Sequence, residues 1–134
     1  MEEIADKLFL KSKKLVRLYV GLSGIPGSGK TTFAKKLATY IHETYNVKTI
    51  HISMDGFHLP KEELKRFSVF FDHKIGDPVF GDIEVSFDTR ILIFEGLYLS
   101  FNENVWRDIY NEMDESFFLE CTLELARKRW FKNL

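Results

Sequence analysis

The sequence predicts an α/β domain in which helices cover both faces of a parallel sheet of about four strands. Three observations lead to this prediction. Segments with strand composition alternate with amphipathic segments along the chain, an arrangement typical of α/β proteins. The segment 91–95 is apolar on both faces until it stops at Glu95, and the segment 15–22 is β-branched and aromatic enough to be a buried strand; both are typical of a parallel sheet. The 134 residues are 45% hydrophobic, which suits one core, so we expect a single domain spanning 1–134.

The amino-terminal part of the chain is predicted to fold as helix, strand, loop and helix. A short amphipathic helix is expected at 2–14, where apolar residues recur among charged ones. The segment 15–22 is rich in β-branched and aromatic residues and leads directly into a glycine-rich turn, which indicates a buried strand. At 30–45, apolar residues recur at i, i+4 and i+8 and therefore share one face of a helix: Phe33, Leu37 and Ile41.

The rest of the chain continues this alternation. A second strand is expected at 47–53, before Gly56 and Pro60 break regular structure. A third clear strand, 91–95, ends at an acidic residue that Gly96 follows. The remaining predictions are a helix at 61–70, a loop at 71–81, a short strand at 83–87, a helix at 104–113, a fourth strand at 116–121 and a last helix at 122–133.

Charge and cysteine content exclude several classes of partner and site. Nineteen Lys and Arg residues against twenty Asp and Glu residues leave a net charge of -1, so no global positive field exists to bind nucleic acid or an anionic membrane. The single cysteine, Cys121, cannot form an intrachain disulfide, which fits a reducing compartment. No apolar run approaches the roughly 18 residues of a membrane span, and the first six residues are too acidic for a targeting peptide. We therefore expect a cytoplasmic protein.

The glycine-rich turn matches the pattern G-x-x-x-x-G-K-[ST] and lies between a predicted strand and a predicted helix. In such a loop the glycines let backbone N–H groups point at phosphate oxygens, and the following helix adds its positive end. The lysine reaches the β- and γ-phosphates, and the hydroxyl after it can bind Mg²⁺. The predicted nucleotide-binding residues are the loop and its next neighbour: Gly24, Ile25, Pro26, Gly27, Ser28, Gly29, Lys30, Thr31 and Thr32.

Two acidic residues that end strands are expected beside this loop. Because the carboxyl ends of parallel strands meet at one edge of a sheet, Asp55 and Glu95 would lie next to the phosphates. Glu95 has the position of an acid that tunes Mg²⁺, although a glutamate at a strand end is common. Asp55 can take the proton from a hydroxyl that attacks the γ-phosphate; the alternative is a turn aspartate that precedes Gly56.

At these positions the sequence resembles the small-metabolite kinases related to uridine kinase, bacterial pantothenate kinase and phosphoribulokinase. The likeness is greatest to the nucleoside-kinase-like branch that has D-G-F-H after the second strand. The matching segments come in the family's order and span about four fifths of the chain. They are GIPGSGKT at 24–31, MDGFH at 54–58, FDH at 71–73, ILIFEGLYL at 91–99 and LARKR at 125–129.

The resemblance implies a P-loop fold that binds ATP and Mg²⁺ and transfers the γ-phosphoryl group to a hydroxyl of a small metabolite, a nucleoside or a related compound. It implies that Thr31 and Glu95 hold the metal. It further implies catalytic roles for Lys30, for Asp55 as general base, and for Arg127 and Arg129 from a lid over the phosphates. The residues expected near the acceptor are Asp55, His58, Asp72 and His73.

The sequence departs from the family pattern in two places. Only 59–70 separates D-G-F-H from F-D-H, where the family has more helical chain and a second motif. The family also continues past the lid to a final strand, whereas this chain stops at Leu134. A second hypothesis is therefore a truncated, catalytically inactive protein that binds ATP. A sheet without its final strand would expose an edge, so self-association is also expected.

Overall fold

The computed structural model describes residues 1–25, 27–53, 79–80, 83–96, 111–120 and 124. Within these ranges the chain forms two helices and six strands. The helices are α1 (Glu2–Ser12) and α2 (Lys30–Tyr45). The strands are β1 (Leu18–Ser23), β2 (Thr49–Ser53), β3 (Val79–Phe80), β4 (Ile83–Glu84), β5 (Ile91–Gly96) and β6 (Glu115–Phe118).

Four of the strands form one parallel sheet in the order β2-β5-β1-β6, which confirms the predicted fold class. Strand β5 lies between β2 and β1, and β6 pairs with the other side of β1. In the register of the sheet, Ser23 lies opposite Gly96, and Ser53 lies opposite Glu95. The carboxyl ends of the strands therefore share one edge, which is where α/β proteins bind ligands.

The two helices share a core with the central strands. Alternate residues of β1 and β5 pack with the apolar stripes of α1 and α2, and the ring of Phe9 stacks on that of Tyr45 with 4.2 Å between centroids. The intervening strand residues Tyr19, Leu92 and Phe94 are also fully buried, so both faces of the sheet are covered. The members of the core cluster are Ala5, Leu8, Leu18, Val20, Leu22, Ala34, Leu37, Ala38, Ile41, Ile91 and Ile93.

The first helix and the first strand are shorter than the sequence indicated. Helix α1 ends at Ser12 rather than at residue 14, and β1 begins at Leu18 rather than at residue 15. The chain between them turns, with Leu15 N–H donating to the Ser12 carbonyl at 3.3 Å. The Arg90 guanidinium then donates to the Leu15 carbonyl at 3.2 Å. Because a side chain and a turn take these backbone groups, β-rich composition there does not extend the strand.

The other strand predictions also differ at their ends. The fourth strand runs over Glu115–Phe118 rather than 116–121, and the second begins at Thr49 rather than at residue 47. The expected strand at 83–87 is confined to Ile83–Glu84, and it pairs antiparallel with Val79–Phe80, which was predicted to be loop. The helix at 61–70, most of the helix at 104–113 and all but Glu124 of the last helix lie outside the described residues.

An ion pair joins α1 to the edge strand β6. The Lys11 ammonium donates to Glu115 Oε1 at 2.8 Å and to the Asp114 carbonyl at 2.9 Å, while Lys7 lies 3.6 Å from Glu115. The hydrogen bond from Lys11 holds the pKa of the Glu115 carboxyl below its usual value. The lysine side chains are 58% and 40% exposed, so solvent screening limits the pair to at most about 1 kcal/mol.

We expect Glu115→Gln to lower the melting temperature at pH 7 and to lose this effect in acid. Because the pKa of Glu115 is depressed in the folded state, its stabilisation is complete above the unfolded carboxyl value of about 4.5 and disappears as the pH falls through the folded value. Thermal melts of the wild type, of Glu115→Gln and of the exposed control Glu120→Gln between pH 7 and about pH 3 measure this. A difference that stays constant over that range would contradict the assignment.

No helix in the described part of the chain is both long enough and apolar enough to cross a membrane.

Candidate functional site

The glycine-rich loop lies at the carboxyl end of the central strand β1. Gly27 and Gly29 have φ values of 80° and 89°, which side chains other than glycine rarely adopt. Ser28 N–H donates to the Ile25 carbonyl at 3.1 Å, which closes the turn. Helix α2 begins at Lys30, as the sequence predicted, and Pro26 lies outside the described residues. This geometry brings the start of α2 directly under the loop.

The side chains of the loop divide into buried and exposed ones. Ser28 and Lys30 are each only 5% exposed. The next two residues of α2, Thr31 and Thr32, are exposed. The first turn of α2 contains no acidic residue, so the positive end of the helix dipole keeps its attraction for an anion. The loop therefore combines a helix N-terminus, a lysine and two reachable hydroxyls.

The Thr31 hydroxyl meets the carboxylate at the end of β5. Thr31 Oγ1 donates to Glu95 Oε1 at 2.9 Å. Glu95 is fully buried, and its second oxygen, Oε2, has no hydrogen-bond partner among the described residues. Because the hydroxyl gives its one proton to Glu95, its lone pairs remain available to a cation. The sequence predicted both residues near the metal, and the structure brings them together.

This pair suits a Mg²⁺ ion that arrives with a nucleotide. Hydroxyl and carboxylate oxygens are the hard donors that Mg²⁺ prefers, and such ions take only one or two protein ligands, with phosphates and water supplying the rest. Within the described ranges, no group of three or more His, Cys, Asp or Glu side chains could hold a metal alone. Thr31 and Glu95 therefore fit a metal ion that arrives with a nucleotide.

The segment after β6 packs against the first glycine of the loop. Leu119 N–H donates to the Ser23 carbonyl at 2.8 Å, which fixes Leu119 beside the end of β1. A Cβ atom on Gly24 would lie 2.6 Å from Ser28 Oγ and 3.1 Å from the Leu119 carbonyl oxygen. The latter is a backbone atom, so it cannot move aside without shifting the chain. Gly24 is thus required by close approach.

Gly24→Ala is expected to weaken ATP binding roughly tenfold and to lower stability by about 1–3 kcal/mol, because the added methyl group overpacks the loop. The matched control is Gly21→Ala. Its methyl group would meet the flexible Met113 side chain, with Cγ at 3.2 Å, in the middle of β1. Calorimetric titration with ATP and Mg²⁺, together with thermal melts, compares the two variants. Equal ATP affinities for both would show that the packing at Gly24 does not shape the loop.

A cleft of about 530 Å³ opens beside the loop on the side of β6. Three of the residues that line it were not predicted from the sequence to lie there: Phe33, Lys36 and Leu119. Phe33 was assigned only to the core face of α2, although it is half-buried and lines the cleft as well. Lys36 follows Thr32 by one helical turn, so its position could have been predicted from the spacing. Leu119 lies at the cleft only because β6 pairs with β1, and the sequence does not indicate that pairing. The lining residues are Gly27, Ser28, Gly29, Thr32, Phe33, Lys36 and Leu119.

A second cleft of similar volume lies between α2 and the edge strand β2, and Lys35, His42 and His51 are among the residues that line it. None of its lining residues belongs to the phosphate loop. Of these two clefts, the first is the one that borders the glycine-rich loop.

The predicted acceptor side can be located only by its strand. Strand β2 ends at Ser53, which lies opposite Glu95, and Asp55 follows two residues later in the sequence. Besides Pro26, six predicted site residues lie outside the described residues, and their roles stay predictions: Asp55, His58, Asp72, His73, Arg127 and Arg129.

Six curated relatives match the chain, including the two that follow. A Schizosaccharomyces pombe protein named "Putative uridine kinase" is 33% identical, and the alignment covers 92% of this chain and 71% of that protein. The alignment is 166 positions long whereas this chain has 134 residues, so that relative carries internal residues with no counterpart here. An Aspergillus versicolor protein named "ATP-dependent kinase-like protein notR'" is 46% identical over 67 residues, or 50% of this chain and 39% of that one.

Two solved structures that are similar to this chain are also titled as kinases. A Silicibacter sp. TM1040 protein titled "putative fructose transport system kinase" superposes with a TM-score of 0.68 at 28% identity, over 87% of this chain and 71% of that one. YFH7 from Saccharomyces cerevisiae, titled "a putative P-loop containing kinase with a circular permutation", has a TM-score of 0.78 over 98% of this chain and 85% of its own. At 16% identity the latter match shows the fold alone.

A comparison with protein-family models gives no match. The S. pombe relative, however, is similar over most of both chains, and the phosphate loop, the parallel sheet and the solved neighbours agree with it. The chain belongs to the uridine kinase-like P-loop kinases.

Proposed function

We propose that this protein transfers the γ-phosphoryl group of ATP to a hydroxyl of a small metabolite, a nucleoside or a related compound. The observation that carries the proposal is the hydrogen bond between Thr31 and Glu95 beneath an intact phosphate loop. It joins the loop to the neighbouring strand at the edge of the sheet where ligands bind.

On the donor side, the loop would hold the triphosphate. Backbone N–H groups at the start of α2 face the phosphates, and the Lys30 ammonium neutralises charge that develops on the β- and γ-phosphates. Thr31 and Glu95 would hold Mg²⁺, which when bound offsets the negative charge of the phosphates. Glu95 Oε1 also fixes the orientation of the Thr31 hydroxyl.

On the acceptor side, the proposal assigns the general base to Asp55. Strand β2 lies next to β5, and its last residue, Ser53, lies level with Glu95. A residue that comes soon after Ser53 in the sequence therefore follows a strand end at the edge of the sheet where the γ-phosphate would lie. A carboxylate there accepts the proton of the attacking hydroxyl, which removes the positive charge that would otherwise build up on that oxygen. Arg127 and Arg129 would stabilise the transferred phosphoryl group, as the family pattern implies.

The name of one relative supports a nucleoside acceptor, and the name of another supports ATP as the donor. The S. pombe protein is named for uridine kinase, and the A. versicolor protein is named as ATP-dependent. The Silicibacter structure is titled for a fructose transport system, so sugar hydroxyls belong in the same test.

The experiment is a transfer assay with γ-labelled ATP and Mg²⁺ against a panel of nucleosides, sugars and vitamins. We expect the label on a nucleoside, no transfer after EDTA removes the metal, and no transfer by Lys30→Ala. A thermal melt in the same buffer checks that ATP and Mg²⁺ stabilise the protein by mass action. Stabilisation by ATP without transfer to any hydroxyl compound would favour the second hypothesis, an inactive ATP-binding protein.

A further inference from the structure

The flank of α2 beside the edge strand β2 is open in the described part of the chain. On the opposite flank α2 packs against α1, where Phe9 stacks on Tyr45, and Lys11 of α1 bonds to β6. Strand β2 pairs with β5 alone among the described strands. The cleft of about 530 Å³ at Lys35 and His51 lies between this flank of α2 and the outer edge of β2. A helix flank and a strand edge are therefore exposed side by side.

The outer edge of β2 presents backbone groups that can pair with another strand. The Lys48 carbonyl accepts hydrogen bonds from the N–H groups of Arg90 and Ile91, at 2.9 Å and 3.3 Å, so the backbone groups of Lys48 face β5. Because backbone groups alternate in direction along a strand, those of Thr49 and His51 face away from β5. Such an edge is a template for a further strand.

The exposed stripe of α2 along this cleft is self-complementary in charge. Lys35 precedes Thr39 by four residues and Glu43 follows it by four, and all three are exposed and line the cleft. A positive and a negative group therefore lie on one face of the helix, each about 6 Å along the axis from Thr39. If an identical helix faces this stripe in the antiparallel orientation, Lys35 of each helix lies opposite Glu43 of the other.

The charges of the cleft favour a second copy of the chain over an anionic ligand. The other lysine of the cleft, Lys48, is paired with Asp88 at 3.1 Å. Lys35 and Glu43 remain, one charge of each sign, so the cleft has no excess of positive charge to hold an anion. A surface that carries its own complement fits a twofold contact, in which both subunits use the same patch.

We infer that this flank is the interface of a symmetric dimer, with a twofold axis that passes near Thr39 and Ile50. The two β2 strands pair antiparallel and join the two sheets, and the two α2 helices lie side by side on one face. The contact is distinct from the β6 edge, which a missing final strand would expose. The inference goes beyond the proposed function and does not depend on it, since the contact uses no residue of the phosphate loop.

The spacing of helices and strands suits this arrangement. Helix α2 packs on β2 and β5 together. Adjacent strands are about 4.8 Å apart, so pairing two β2 edges brings two such helices to about 10 Å from each other. Packed helices have axes about 8–10 Å apart. Ala38 and Thr39 carry small side chains at the cleft, so the helices can approach to that distance.

One axis serves both the helices and the strands. Thr31 is level with Glu95 through their hydrogen bond, and Glu95 lies opposite Ser53 at the end of β2. From that level Thr39 lies eight residues, or about 12 Å, along α2. Ile50 lies three residues, or about 10 Å, back along β2. The centre of the charged stripe and the centre of the strand are therefore at nearly the same height.

With Ile50 on the axis, the backbones of the two strands match. Thr49 of each strand lies opposite His51 of the other, and both residues turn their backbone groups outward, so each such pair exchanges two hydrogen bonds. Ile50, which is half-buried while Ile52 is fully buried, then packs against Ile50 of the second copy. The dimer thus pairs exposed backbone groups and covers apolar surface at the same edge.

The test is sedimentation velocity of the full chain over about 1–200 μM, the range in which a small interface of this kind dissociates. We expect the wild type to dimerise, and Lys35→Glu and Glu43→Lys each to weaken dimerisation roughly tenfold or more, because like charges then meet twice per dimer. An equimolar mixture of these two variants should dimerise again, since both contacts then join opposite charges. The double variant Lys35→Glu/Glu43→Lys, which keeps the net charge of the wild type, should dimerise as well.

The charge-matched control is Lys36→Glu, which changes the neighbouring exposed lysine on the side of the other cleft and should dimerise as the wild type does. A wild type that stays monomeric at the highest concentration would overturn the inference. So would unchanged dimerisation of both single variants, which would place the contact at another surface such as the β6 edge. Weakening that neither the mixture nor the double variant reverses would also overturn it.

A second measurement needs no variant and so does not depend on the folding of one. Amide hydrogen exchange of the wild type is followed by NMR at a low and a high concentration. We expect the N–H groups of Thr49 and His51 to exchange more slowly at the high concentration, while those of Ile50 and Ile52, which face β5, exchange alike at both. Exchange at Thr49 and His51 that ignores concentration, or slowing confined to 115–118, overturns the inference.

Discussion

Replacing Asp55 with asparagine is expected to lower turnover roughly 100-fold or more while ATP affinity stays unchanged. Asparagine keeps the shape of the side chain but cannot accept the proton of the attacking hydroxyl. If the phosphate loop after β1 holds the nucleotide, as proposed, a change after β2 should act on chemistry alone. Steady-state transfer rates at saturating ATP, with calorimetric titration of ATP on the same preparation, separate the two effects.

The matched control for this variant is Asp88→Asn. Asp88 is an exposed carboxylate that accepts hydrogen bonds from the Ser86 hydroxyl at 2.6 Å and from Lys48 at 3.1 Å, near the amino ends of the strands and away from the loop. Its loss should leave turnover as it is. Unchanged turnover in Asp55→Asn would remove Asp55 from the mechanism. A loss of ATP affinity as large as the loss of rate would instead make Asp55 a metal or structural group.

The elements with a strong local pattern could be predicted closely. Helix α2 runs over Lys30–Tyr45, as predicted, because its apolar period is regular and both ends carry local signals. It begins directly after the glycine-rich loop and is followed by the capping residue Asn46, whose φ of 55° is a left-handed conformation that asparagine tolerates. The start of β1, in contrast, was predicted wrongly from composition, because the distant side chain of Arg90 donates a hydrogen bond to the Leu15 carbonyl.

The site divides in the same way. The loop residues share a contiguous motif, so sequence alone located them. The contact of Thr31 with Glu95 depends on β5 lying beside β1. The sequence predicted that both residues lie at one edge of a parallel sheet, but it did not predict which strands are neighbours. Leu119 carries no motif at all. It reaches the loop because β6 pairs with β1 on the other side, and strand order is a property of pairings far apart in the chain.

Substituting alanine for Lys30 is expected to reduce ATP affinity tenfold or more. A charge-assisted contact to phosphate contributes about 1.5–3 kcal/mol, and Lys30 is only 5% exposed, so solvent screens its charge poorly. The measurement is calorimetric titration with ATP in the presence of Mg²⁺. The increase in melting temperature that ATP gives the wild type should shrink by a corresponding amount.

The charge-matched control is Lys35→Ala. Lys35 lies on the same helix as Lys30, but it is exposed and lines the cleft beside β2. It removes one positive charge from α2 without touching the loop, so it separates a specific phosphate contact from a general change of potential. If Lys35→Ala weakened ATP binding as much as Lys30→Ala, long-range charge would explain both. Wild-type affinity in Lys30→Ala would mean that the loop binds phosphate through its backbone alone, with the lysine reserved for the transfer step.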